Sequence, residues 1–154
     1  MIDRHSLPSD NHFARYCSSK LLIRDPPDSD NVVGVAPQAF RPRQLQDGVV
    51  EQELSGNHLE YFHAPDIPQN VMALAKYLKE QRSLTIRSSG RFAVGQVGEM
   101  KAAAKSQHVE IDIIADPIKR PPADPSHAVI IGIALNALLA QEKLAQVVTP
   151  YAVS

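Results

Sequence analysis

The sequence predicts a single α+β domain with three helices packed on a mostly antiparallel or mixed sheet. Segments with strand-like alternation are interleaved with segments of helical spacing, and hairpin-like pairs argue against strict βαβ alternation. The length, 154 residues, fits one domain, and the hydrophobic and charged fractions of 44% and 21% are typical of globular chains. We expect residues 1–11 to form a flexible N-terminal tail, residues 12–150 to form the domain, and the helices to cover one face of the sheet.

The first third of the chain predicts strands separated by loops. Phe13 to Cys17 reads as a strand with Phe13, Arg15 and Cys17 on one face, because side chains alternate across a strand. Prolines and Asx residues at 25–31 indicate a loop. Residues 32–40 suggest a short strand interrupted by Pro37, which an edge position tolerates.

The stretch from Val49 to Pro65 holds the densest set of titratable and hydrogen-bonding groups. It alternates as far as Leu54, which predicts a strand. Ser55-Gly56-Asn57 then reads as a tight turn that uses glycine's conformational freedom, followed by one or two helical turns. In this interpretation the Asn57 side chain caps the short helix. We favour a junction that only forms the turn and the cap; in the alternative, the exposed amides hold an anion, with His58 and Arg15 as charge partners.

The remaining elements follow from spacing and capping. Asp66 and Gln69 form a capping-box pattern before apolar residues at helical spacing, which predicts a helix to about residue 81. Asn136 is expected to cap the last helix. The other predicted elements are a hairpin of residues 84–87 and 91–97, a helix over 98–107, strands over 109–115 and 128–133, and a closing helix with an apolar face at 137, 140, 144 and 147 or 148.

Composition excludes several function classes. The formal net charge is −1, and the arginines at 41, 43, 87 and 91 come from separate segments, which argues against a nucleic-acid partner. The single cysteine, Cys17, excludes an intramolecular disulfide and a multi-thiolate zinc site.

The first 24 residues lack the apolar core of a signal peptide, and the apolar stretch 128–140 is too short to span a membrane. We expect a cytoplasmic protein with no membrane partner, no metal and no cofactor.

A candidate site is assembled from polar residues that the predicted elements can bring together. A basic or imidazole group beside a hydrogen-bonding amide, at strand ends and loops, suits a catalytic or anion-binding pocket. The candidates are His12, Arg15, Asn57, His58, Glu60 and His127.

Other constellations have a structural interpretation that we favour. His58 and His63 are five residues apart and diverge on a helix, so hydrogen-bonded or surface histidines are favoured over a metal site. Cys17 can be a nucleophile activated by His12 or Arg15, but a lone cysteine is more often a buried hydrophobe.

Two further patterns lie in the second half of the chain. Glu110 and Asp112 share a strand face, as paired catalytic carboxylates must, yet solvated strand residues look the same. Gly95-x-x-Gly98 before a helix can present amides to a phosphate, but it lacks the rest of a phosphate-loop motif.

Three segments resemble a family of small bacterial hypothetical proteins. They are H-F-A-R-Y-C at 12–17, L-S-G-N-H-L-E-Y-F at 54–62 and D-P-S-H-A at 124–128. In that family we expect a bulkier residue at Gly56 and tryptophan at His58. The resemblance covers most of the chain and implies no activity.

A second resemblance is to ADP-ribosyltransferases. Those enzymes use an early arginine or histidine, a mid-chain serine motif and a late glutamate, and Arg15, Ser55 and Glu110 occur in that order. The usual glutamate-x-glutamate is Glu110-x-Asp112 here.

The leading functional hypothesis is therefore a non-enzymatic accessory or protein-interaction module with a protein partner, and with a small anionic ligand as a further option. The alternative is a small transferase or hydrolase with a polar pocket around Arg15, Asn57, His58 and His127. Whether these side chains meet in one cleft separates the two hypotheses.

Overall fold

A seven-stranded, fully antiparallel sheet forms the centre of the protein. The computed structural model describes residues 4–153. The strands are β1 (His5–Ser6), β2 (His12–Cys17), β3 (Leu22–Arg24), β4 (Val32–Val35), β5 (Glu53–His58), β6 (Arg91–Gln96), β7 (Asp112–Ala115), β8 (His127–Ile131) and β9 (Thr149–Ala152). The large sheet has the order β1-β7-β8-β5-β2-β6-β9, and β3 and β4 form a separate two-stranded hairpin. The predicted α+β class, with its mostly antiparallel sheet, is confirmed.

Three α-helices accompany the sheet. They are α1 (Ile67–Arg82), α2 (Val97–Lys105) and α3 (Leu138–Val147), and short 3₁₀ turns occupy Ser19–Leu21, Pro37–Phe40 and Leu59–Phe62. The start of α1 is as predicted, because the Asp66 side chain accepts a hydrogen bond of 2.9 Å from the Gln69 amide. None of the helices in residues 4–153 has the length and apolar character needed to cross a membrane.

The helices cover both faces of the sheet, which corrects the expectation of one covered face. Successive residues of β2 enter different cores: Phe13 and Cys17 pack with α2 and α3, whereas Ala14 packs with α1. Helix α1 contributes Leu74 and Leu78 to its core. A sheet with apolar residues on both faces needs cover on both faces, and this chain supplies it with helices from different parts of the sequence.

Several predicted elements are wrong in detail. No strand occupies residues 84–87; β6 instead pairs with β2 and β9. Ser55-Gly56-Asn57 is not a turn but lies inside β5, where Gly56 is opposite Ala128. A Cβ at Gly56 would lie 2.2 Å from the Phe13 ring and 2.6 Å from the Ala14 carbonyl oxygen, so this glycine permits close packing of strands.

The ends of the domain also differ from expectation. Residues 1–3 of the expected tail lie outside the part of the chain that the structure describes. His5–Ser6 pairs with β7 and Leu7 is 3% exposed, so the folded domain begins before residue 12. Helix α3 begins at Leu138 without a side-chain cap, so Asn136 does not have the predicted capping role. Strand β9 was not predicted.

We expect Leu74→Ala to lower the free energy of unfolding by about 2–5 kcal/mol, because Leu74 is fully buried between α1 and the sheet. Met72→Ala is the matched control in the same helix, since Met72 is 53% exposed, and it should change stability by less than about 0.5 kcal/mol. Urea denaturation of both variants measures the difference. Equal midpoints would contradict the packing of α1.

Candidate functional site

The sheet is split between β2 and β5. These two strands pair only at Phe13–His58 and Ala14–Asn57. On their other sides the same strands pair over nearly their whole length, β2 with β6 and β5 with β8. The sheet therefore consists of two halves that meet at two residue pairs and separate beyond them.

The Arg15 side chain bridges this split. Its Nε donates to the Ala39 carbonyl oxygen at 2.8 Å, and its Nη1 donates to the Ser55 carbonyl oxygen. Burial lowers the pKa of the Arg15 guanidinium from its usual value, although the high starting value keeps the group charged. Ser55 has no paired residue in β2. The Arg15 side chain therefore supplies the hydrogen-bond donor for its carbonyl.

A groove of about 510 Å³ lies over the split. It runs between the sheet, the C-terminal end of α1, the segment 84–86 and the connector before β8. Its lining combines apolar and polar groups from seven segments: Arg15, Tyr16, Ser55, Gly56, Asn57, Leu78, Arg82, Leu84, Thr85, Ile86, Phe92, Ile118, Asp124 and His127. A volume of this size, with mixed lining, is within the range of small-ligand sites.

A buried polar network closes one side of the groove. Asn57 donates through Nδ2 to Asp124 Oδ2 at 2.9 Å and to Ser126 Oγ at 2.8 Å. The Ser126 hydroxyl and amide both donate to Asp124 Oδ1, at 2.8 and 3.2 Å. Asp124 is 1% exposed, so these bonds replace the water that its carboxylate loses.

Arg82 is the cation beside this network. Its Nη1 lies 3.4 Å from Asp124 Oδ2, a long contact for an ion pair, and its side chain is 19% exposed. The buried Nε of Arg82 has no hydrogen-bond partner. Arg82 therefore retains donor capacity that the folded chain does not use.

His127 is directly opposite Asn57 in the β5–β8 pairing and lines the same groove. Its Nδ1 donates to the Asp116 carbonyl oxygen at 2.9 Å, and the Asp116 carboxylate is 3.6 Å away. Because a carbonyl can only accept, Nδ1 carries the proton and Nε2 remains available as an acceptor in the neutral ring.

The other three candidates form a separate cluster at the first residue of β2. Glu60 accepts from the His12 amide at 2.7 Å and from His12 Nδ1 at 2.6 Å. His58 donates from Nε2 to Asn11 Oδ1 at 2.6 Å, and its Nε2 is 3.8 Å from Glu60. The structure thus groups Arg15, Asn57 and His127 at the groove and His12, His58 and Glu60 elsewhere.

Asn57 has a different role from the predicted helix cap. It lies within β5 and is 6% exposed, and its amide is used by Asp124 and Ser126. The 3₁₀ turn Leu59–Phe62 begins without a side-chain cap. The prediction that Asn57 caps a short helix at this junction is therefore wrong.

Arg82, Asp124 and Ser126 were not predicted as site residues. The sequence does contain a signal for Asp124 and Ser126. The pattern Asp-x-Ser favours a local hydrogen-bonded turn, and a proline-rich connector needs such hydrogen bonds to hold one conformation. For Arg82, the last residue of α1, the sequence shows only a favourable cation at a helix C-terminus.

Two other sequence constellations lie outside the groove. Cys17 is fully buried, and burial raises the pKa of its thiol to about 11, which disfavours a nucleophilic thiolate. The amides of Val97 and Gly98 donate to the carbonyls of Asn11 and Ser9, so the Gly95-x-x-Gly98 turn does not present them to a phosphate.

The paired carboxylates lie at a second cavity. Glu110 and Asp112 line it with Lys101 and Lys105, whereas Arg15 and Ser55 line the groove. The three residues of the ADP-ribosyltransferase pattern therefore do not share a cavity. Within residues 4–153, no three His, Cys, Asp or Glu side chains are placed to hold a metal ion.

Comparison with known proteins gives no relative: no family model, curated protein or solved structure matches this chain.

We expect Asn57→Asp to destabilise the protein by about 3–5 kcal/mol, because it replaces a donor to Asp124 with a second buried carboxylate. Asn136→Asp, at an exposed position, is the control. The double variant Asn57→Asp/Asp124→Asn restores one donor and one acceptor and should recover part of the loss. Chemical denaturation of the three variants tests this, and a single variant as stable as the control would contradict the network.

Acidification should destabilise the folded protein through His58. Burial lowers the pKa of His58, Glu60 opposes this effect, and His5 and His63 add to it. A histidine that is harder to protonate when folded contributes full stability above its unfolded pKa of about 6.5 and loses it as pH falls toward the folded value. His58→Gln should flatten the pH dependence of unfolding below pH 6.5, whereas exposed His108→Asn should not. Identical pH profiles for His58→Gln and wild type would exclude this role.

Proposed function

We propose that this protein is a non-enzymatic binding module whose groove takes an amphipathic ligand with an anionic group. One observation carries the proposal: polar side chains from α1, β5 and the connector before β8 converge with apolar ones at a single groove. The proposal agrees with the expected interaction role and with an anionic ligand. It assigns the contact with the anionic group to Arg82 instead of His58.

Charge at the groove supports an anion. Asp124 is hydrogen-bonded to Asn57 and Ser126 and lies near Arg82. Asp116 is paired with Arg4 at 3.2 Å outside the groove lining. Arg15 makes its hydrogen bonds to backbone carbonyls, so its positive charge is not matched by a bonded carboxylate. The groove thus has two arginines against one buried carboxylate that is already hydrogen-bonded.

The apolar part of the lining supports a ligand with a hydrophobic body. Leu78 and Phe92 belong to the core beneath α1, and Ile86 is packed against it. Leu84, at the rim, is 46% exposed. Leu78 and Phe92 are only 4% and 1% exposed. A ligand therefore removes apolar surface from water mainly by covering Leu84 and Ile86, while its anionic group reaches Arg82.

Three aryl probes with the same body and different charge test the proposal. We expect 3-phenylpropionate, but not 3-phenylpropan-1-ol or 3-phenylpropylamine, to shift the amide NMR signals of Ser55, Asn57 and His127 in a saturable manner. Arg82→Gln should weaken this binding by about 1.5–3 kcal/mol, the typical value of a hydrogen bond to a charged group. Arg87→Gln, an exposed arginine outside the lining, is the matched control. Equal shifts from all three probes would contradict an anion site.

A hydrolase or transferase is the second candidate function, and His127 is the observation that favours it. Its Nδ1 is fixed by Asp116 and its ring lines the groove, which suits a general base. Against this, across residues 4–153 no imidazole is hydrogen-bonded to a serine, threonine or cysteine side chain, as an activated nucleophile requires. We expect wild type and His127→Ala to hydrolyse p-nitrophenyl acetate equally; a His127-dependent rate would favour the enzyme.

A further inference from the structure

The groove floor contains strand backbone that the sheet does not pair. Continuing the register of Ala14–Asn57 would place Tyr16 opposite Ser55, but the pairing stops before that position. Because His58 donates its amide toward β8, alternation along the strand directs the N–H and C=O of Ser55 toward β2. The Arg15 side chain donates a hydrogen bond to the Ser55 carbonyl oxygen. Tyr16, Ser55 and Gly56 line the groove where the pairing of β2 with β5 has ended.

Beyond Ala14–Asn57, the facing backbone of Tyr16 and Ser55 forms no sheet pair at this floor. Extended peptides bind to such strand segments through main-chain hydrogen bonds, with pockets for alternate side chains. The floor therefore suits a short extended segment better than a compact ring system.

The charged and apolar recognition elements are close enough to contact a single ligand residue. Leu84 and Ile86 follow Arg82 by two and four residues, and all three residues line the same groove. A C-terminal peptide residue carries its carboxylate and its side chain on one Cα atom. An acidic side chain inside a peptide, by contrast, separates its charge from any apolar group by several bonds.

We propose that the groove receives the extended C-terminus of a partner protein, with the terminal carboxylate at Arg82 and the last apolar side chain against Leu84 and Ile86. This inference rests on the proposed function and names its partner class. Charge complementarity selects this occupant, because within residues 4–153 Arg82 Nη2 donates no hydrogen bond, and the neighbouring carboxylate of Asp124 is already hydrogen-bonded.

The test is an array of pentapeptides that vary in the last two residues, each made with a free C-terminus and as the carboxamide. A third set places glutamate internally and ends in the carboxamide. We expect saturable binding of free acids that end in leucine, isoleucine, valine or phenylalanine, and at least a tenfold loss for their carboxamides. Equal binding of acids and carboxamides, equal binding of the internal-glutamate set, or no binding to any member would each overturn the inference.

Variants confirm where the peptides bind. Arg82→Lys keeps the charge but not the planar fork, and it should reduce the preference for the free acid. Leu84→Glu places a negative charge at the exposed rim and should weaken binding of the free acids at least tenfold, whereas Leu138→Glu, at a 59% exposed position outside the groove, should not. Thermal melting shows that each variant is folded. Free-acid binding unaffected by both groove variants would overturn the assignment.

The aryl probes separate failure of this inference from failure of the proposed function. Saturable binding of 3-phenylpropionate at Ser55, Asn57 and His127, with no binding of any peptide, would retain the anion groove and reject the peptide C-terminus. If neither the probe nor the peptides bind, both proposals fail.

Discussion

The short contact between β2 and β5 is the constraint on which the rest of the molecule depends. Both strands are paired over nearly their whole length on their outer sides, so the two residue pairs that join them hold the halves of the sheet together. Gly56 permits this contact because any side chain there would meet Phe13 and the Ala14 backbone. Beyond the contact, the Arg15 guanidinium replaces strand pairing with a side-chain hydrogen bond.

The connector before β8 completes the groove because polar groups fix it in place. Its four prolines remove amide donors, and the backbone bonds within it join Ile118 and Asp124. Asp124 compensates by accepting from Asn57 and Ser126, and Tyr77 of α1 donates to the Ala123 carbonyl at 2.7 Å. The connector is thus attached both to the sheet and to α1, which are the two walls between which the groove lies.

The sequence reveals the elements of this fold better than their arrangement. Helix α1 is predictable because its cap and apolar spacing are local signals, and β7 because its alternation is regular. The strand through Ser55, Gly56 and Asn57 is not predictable, since a polar, glycine-containing stretch resembles a turn unless the partner strands are known. Asn57 and His127 are placed in one groove by the pairing of β5 with β8, and Arg82 joins them only through the packing of α1.

The strand order has a consequence for how the protein is made. Strand β5 pairs with β2, which precedes it in the sequence, and with β8, which lies far along the chain. Strand β6 likewise pairs with β9, the last strand. During synthesis, the early strands must therefore leave the ribosome with open edges and wait for later residues. Such long-range pairing slows folding and exposes strand edges to other chains. Growth at lower temperature or with more chaperone should therefore increase the yield of folded protein more than a stabilising substitution on the surface.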